Sequence, residues 1–133
     1  DISNVDITSV IINAAGGNDI INISAFTFMP NLTINGGTGN DQINFEGNIT
    51  FNNNASLDLD LQNDAPVPGT DRVTFNGNVN LSGNGEAIIK VSRNVVINTG
   101  ARIQTENGNL SIEANMQSNS SSGEFNGVSV VGG

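Results

Sequence analysis

The sequence predicts an all-β chain wound as a parallel β-helix, with about 22 residues and three short strands in each coil. Three observations carry this reading. The pattern D-x-[IV]-[NT]-F-x-G-N-[IV]-x-[FL] occurs twice, first from Asp41 to Phe51 and again from Asp71 to Leu81. Apolar residues alternate with polar ones over runs of three to five residues, and Gly or Asn separates the runs, the period and punctuation of half-buried strands. No stretch repeats apolar residues at the helical period of 3.6, so no helix is expected.

In chain order, Val5-Asp6-Ile7 and Val10-Ile11-Ile12 read as the first short strands. A Gly17-Asn18-Asp19 turn follows. Ile21 and Ile23 then alternate with Asn22, and Phe26 and Phe28 continue that alternation inward. Leu32-Thr33-Ile34 closes the first coil. In the two copies of the long pattern, Ile43 is expected over Val73, Phe45 over Phe75 and Ile49 over Val79. Gly47-Asn48 and Gly77-Asn78 mark corners, because Gly and Asn tolerate positive φ. Leu57 to Leu61 is a strand with leucines inward and Asp58 and Asp60 outward, and Ala87 to Val91 is its counterpart one coil later. Short strands continue at Val95-Val96-Ile97, Ala101-Arg102-Ile103, Leu110 to Ala114 and Val128-Ser129-Val130. Residues 62–70 read as a loop insertion bulging from one corner, and 115–126 as a polar loop. Asn22, Asn44 and Asn48 are placed to form amide ladders between coils. The chain is then one solenoid of roughly six coils, about 30 Å long at a coil spacing near 4.8 Å.

Composition bounds the function. The chain has 133 residues, enough for a buried core in one domain. Its net charge is −9, with 4 basic and 13 acidic residues. That argues against nucleic acid, whose recognition needs clustered Lys and Arg, and against an anionic membrane surface. Cysteine is absent, which removes disulfides and thiolate metal sites. No apolar run approaches the length of a membrane span, and nothing resembles a signal peptide. The pattern is unbroken at Asp1 and at Val131-Gly132-Gly133, so residues 1–133 are expected to be a segment of a longer repetitive chain.

The densest motif is Gly36-Gly37-Thr38-Gly39-Asn40-Asp41-Gln42-Ile43-Asn44. It fills every position of G-G-x-G-x-D-x-U-x, the calcium-binding turn of parallel β-rolls. Glycines let the backbone turn its carbonyls, and the aspartate offers the hard oxygen that Ca²⁺ prefers. Weaker copies end at Asp19, after Ala14 and Ala15, and at Asp71. If Asp19, Asp41 and Asp71 align, they form a column of like charges about 5 Å apart, which is costly unless something neutralises it. The candidate metal residues are therefore Asp19, Gly37, Gly39, Asp41 and Asp71, with Asn18 and Asn40 assisting, and the candidate cofactor is Ca²⁺. The competing reading makes each aspartate a turn former that accepts backbone N–H bonds.

The runs N-L-T-I-N-G-G-T-G-N-D-Q-I-N-F, L-Q-N-D-A-P-V-P-G-T-D and V-V-I-N-T-G-A-R-I-Q-T-E-N-G-N-L-S-I-E-A-N resemble repeats of giant secreted bacterial surface proteins. They are similar to the filamentous haemagglutinin-like β-helical adhesins, with turns like those of the repeats-in-toxin family. The resemblance covers nearly the whole chain. It implies a right-handed β-helix, export to the bacterial surface or exterior, and a structural or adhesive role without catalysis. It implies neighbouring repeats of the same chain, other copies of it, or surface and matrix glycans as partners. Repeats-in-toxin coils carry two nonapeptides each, whereas this chain has one per coil and one complete copy.

A self-assembling extracellular filament subunit is the alternative reading. A β-helix enzyme acting on polysaccharide is the main rival class. It needs clustered acids facing a groove, and Asp58 and Asp60 instead share one face of a strand. No catalytic residue is nominated.

Overall fold

In the computed structural model, the residues described are 6–62, 66–120 and 127–131. The first coil holds β1 (Ser9–Asn13), β2 (Ile20–Ile23) and β3 (Phe26–Met29). The second holds β4 (Asn31–Asn35), β5 (Gln42–Phe45) and β6 (Ile49–Phe51). The third holds β7 (Leu57–Leu61), β8 (Arg72–Phe75) and β9 (Val79–Leu81). The fourth holds β10 (Ala87–Val91), β11 (Asn94–Ile97) and β12 (Ile103–Thr105). β13 (Leu110–Ala114) and β14 (Gly127–Val130) follow. Each strand pairs in parallel with the strand one coil away, giving three sheets ordered β1-β4-β7-β10-β13, β2-β5-β8-β11-β14 and β3-β6-β9-β12. This is the parallel β-helix that the repeat implies. No helix occurs among the described residues.

Alternation sets the core. Along β7 the three leucines are buried while Asp58 is exposed, and β10 repeats the pattern directly above, with Ala87 over Leu57 and Ile89 over Leu59. Ile43 lies over Val73, Phe45 over Phe75 and Ile49 over Val79, all without solvent exposure. The Phe45 and Phe75 rings stack with centroids 4.7 Å apart. Each such side chain contributes about 1.5–3 kcal/mol by leaving water. Because the coils stack in register, the columns Leu32-Leu57-Ala87 and Ile34-Leu59-Ile89 run unbroken through the interior.

Outward amides form pairs between neighbouring coils. Asn44 Nδ2 donates to Asn22 Oδ1 at 2.8 Å, and Asn35 Nδ2 to Asn13 Oδ1 at 2.7 Å. Asn48 takes a different partner: its Oδ1 accepts the backbone N–H of Asn78 at 2.8 Å. Identical amides in parallel register can donate one to the next, and each of these two amide pairs ends after two coils, where Thr74 follows Asn44 and Asp60 follows Asn35.

Four expectations are corrected. The described strands make four coils and two-thirds of a fifth rather than six, because loops lengthen two coil steps to 30 and 33 residues. Phe28 does not point inward. A bulge between Thr27 and Met29 adds one residue, which shifts the alternation so that Met29 takes the inward place. Phe28 is left 77% exposed with φ 65°, an unusual conformation for a bulky side chain. Asp6 and Ile7 form no strand, and Val5 lies outside the described residues. The strand expected at 101–103 begins at Ile103, after a turn at 98–100.

Both predicted loops leave the helix at the corner between the first and second sheets. Residues 63–65 and 121–126 fall outside the described residues. The described parts meet across the intervening coil, where Asn119 Nδ2 donates to the Pro66 carbonyl at 2.7 Å and Gln62 Nε2 donates to the Val91 carbonyl at 3.1 Å.

Candidate functional site

That same corner carries the G-G-x-G-x-D turn. In the first two coils it spans residues 14–19 and 36–41, and the turns stack residue on residue. Ala14 N donates to the Asn35 carbonyl, Thr38 N to the Ala15 carbonyl, and Gly17 N to the Thr38 carbonyl, at 2.9–3.0 Å. Ala15 has φ 74°, close to the 85° of its counterpart Gly37. The first turn therefore keeps the left-handed conformation with an alanine, at a modest steric cost.

The glycines of the complete motif are required by close approach between coils. A Cβ on Gly37 would lie 1.8 Å from the Ala15 carbonyl oxygen, and one on Gly39 would lie 1.7 Å from that of Gly17. Both have positive φ, 85° and 133°. The carbonyls of the first turn are thus pressed against the bare Cα atoms of the second.

The structure brings Asp19, Asp41 and Asp71 into one column, each directly before a strand of the second sheet. The carboxylates of Asp41 and Asp71 reach toward the preceding coil. Asp41 Oδ1 accepts the backbone N–H of Asp19 at 2.9 Å, and Asp71 Oδ1 accepts that of Asp41 at 2.7 Å. Asp41 and Asp71 are each 1% exposed, while Asp19 at the first rung is partly exposed. Where the turn-former reading puts each aspartate's partner within its own turn, the structure gives Asp41 and Asp71 a backbone partner one coil away. Bonds from N–H to a charged acceptor contribute roughly 1.5–3 kcal/mol each.

The assisting amides run the other way. Asn18 Oδ1 accepts the N–H of Asn40 at 2.9 Å, and Asn40 Oδ1 accepts that of Thr70 at 2.8 Å. The corner thus holds two side-chain ladders of opposite direction, carboxylates reaching back and amides reaching forward.

Sequence reasoning missed Ser92. In the fourth coil the corner shrinks to Ser92 and Arg93, between β10 and β11. Ser92 is fully buried; its Oγ accepts the N–H of Asp71 at 2.9 Å and donates to Asp71 Oδ2 at 2.7 Å. A lone serine with no glycine before it carries none of the motif, so only the stacking reveals its place in the column.

The acids of the rival enzyme reading lie elsewhere. Asp58 and Asp60 face outward on β7, with Ile88 and Lys90 opposite them on β10. A cavity of about 740 Å³ lies beside the first coil among Val10, Ile12, Ile23, Phe26 and Met29.

Compared with family models, with curated proteins and with solved structures, the chain matches none. The resemblance to haemagglutinin-like repeats therefore rests on the quoted runs alone.

Proposed function

We propose that this chain is a structural and adhesive β-helix segment of a secreted bacterial surface or extracellular fibre protein. The observation that supports the reading most is that bonding between coils continues on every face and at the corners. Apolar columns fill the interior, amide pairs line the outer faces, and two ladders bind the aspartate corner. Such a solenoid gains stability from neighbouring coils and presents a long, polar, acidic surface. Its partners on this reading are adjoining repeats, other copies of the chain and surface or matrix glycans.

The native polypeptide tests this directly. An antiserum raised against the chain should detect, in the secreted or surface fraction of the producing bacterium, a polypeptide many times heavier than 13.8 kDa. A cytoplasmic species near that mass would overturn the proposal.

A further inference from the structure

We propose that the G-G-x-G-x-D corner of this chain is a metal-independent clamp between coils, and that Ser92 is its closing member. A Ca²⁺ site needs about six to eight oxygens turned toward one point. Here four of the side-chain oxygens that could serve, on Asp41, Asp71, Asn18 and Asn40, already hold hydrogen-bond donors. Asp41 Oδ1 and Asp71 Oδ1 hold the N–H groups of Asp19 and Asp41. Asn18 Oδ1 takes both the N–H and the Nδ2 of Asn40, at 2.9 and 3.3 Å. Asn40 Oδ1 takes the N–H and the hydroxyl of Thr70, at 2.8 and 2.7 Å. The Ala15 carbonyl takes the N–H of Thr38 at 2.9 Å. A cation at the corner would have to displace these donors.

The remaining geometry points the same way. Asp41 Oδ2 is turned to the interior, 2.8 Å from where a Gly36 Cβ would stand, and Leu61 Cγ lies 3.1 Å from that same point. Asp19 Oδ2 and Asp41 Oδ2 are shielded and take no hydrogen bond among the described residues, but two oxygens fall far short of a coordination shell of about six to eight. The column therefore holds one oxygen of Asp41 and one of Asp71 with backbone N–H groups, and the other oxygen of Asp71 with the Ser92 hydroxyl. At the fourth coil it ends on a neutral hydroxyl, and no further charge is buried there. In this chain the motif serves close packing: glycine where coils touch, aspartate where an N–H of the preceding coil needs an acceptor.

The test uses the full chain with Ca²⁺ alone as the probe. Thermal unfolding is followed by circular dichroism, with calcium or with a chelator, for wild type, Asp41→Asn and Asp41→Ala. Asparagine keeps the Oδ1 acceptor and removes the charge a cation would need. The expected result is a wild-type Tm that differs by less than about 2 °C between buffers, since a saturated site would shift it by roughly 5 °C or more. Asp41→Asn should melt well above Asp41→Ala, or fold where Asp41→Ala does not. A calcium-induced rise that Asp41→Asn abolishes would overturn the proposal. So would Asp41→Asn melting as low as Asp41→Ala, or failing to fold in either buffer. A rise of equal size in wild type and Asp41→Asn would place the ion elsewhere on the acidic surface and leave the clamp intact.

Discussion

Gly39→Ala is expected to destabilise the chain by more than about 3 kcal/mol, lowering Tm by 10 °C or more or preventing folding. Two costs add. At φ 133° the backbone lies where residues other than glycine are strained. The new methyl would also stand 1.7 Å from the Gly17 carbonyl oxygen, an overlap that only separation of the two coils relieves. That separation would stretch the bonds from Asp41 to Asp19 and from Asn18 to Asn40 together. Gly17→Ala supplies the control. Gly17 also has a positive φ, 119°, but its Cβ position has nothing within 4 Å. It should therefore cost only the backbone strain, about 1–3 kcal/mol. Denaturant unfolding of both variants separates coil contact from conformation, and equal losses would show that the contact contributes nothing.

Phe75→Ala is expected to cost about 3–5 kcal/mol. Phe75 has no solvent exposure and sits between Phe45 and Ile97 in the second sheet. Removing its ring leaves a cavity that stacked strands cannot close by collapsing, because backbone bonds fix the coil spacing. It also removes the partner of the Phe45 ring, a stacked pair contributing about 0.5–1.5 kcal/mol beyond its area. Phe26→Ala is the matched comparison. Phe26 is 50% exposed and should cost about half as much or less. A Phe75→Ala variant as stable as Phe26→Ala would contradict the stacked interior.

The interior was legible in the sequence because its determinants are local. Period-two alternation at 43–45, 57–61 and 73–75 names the inward side chains, and the paired Asp41 and Asp71 patterns set which residue lies over which. Phe28 was misread because a bulge is a one-residue insertion that alternation alone does not disclose, and Met29 is an equally acceptable core residue. The number of coils was overestimated because each loop at the aspartate corner adds length without adding strands. At the corner, the repeated pattern sets Asp41 over Asp71, but the alignment of all three aspartates stays conditional in the sequence because the 62–70 loop stands before Asp71. The direction of their carboxylates could not be read there, because it depends on where the backbone N–H of the neighbouring coil points. The same motif suits a ring of oxygens around an ion or a chain of acceptors along a column, and only the positions of the donors separate the two. Ser92 stayed hidden because it follows a strand directly, with no turn before it.

Amide hydrogen exchange at Asp19, Asp41 and Asp71 in the full chain tests the corner most directly. The Asp19, Asp41 and Asp71 N–H groups bond to Asp41 Oδ1, Asp71 Oδ1 and Ser92 Oγ. If these bonds clamp the coils without metal, the Asp41 and Asp71 amides exchange slowly in chelator and keep the same rates when Ca²⁺ is added, while the Asp19 amide at the first rung exchanges faster. Fast exchange of Asp41 and Asp71 in chelator that becomes slow only with Ca²⁺ would contradict the account.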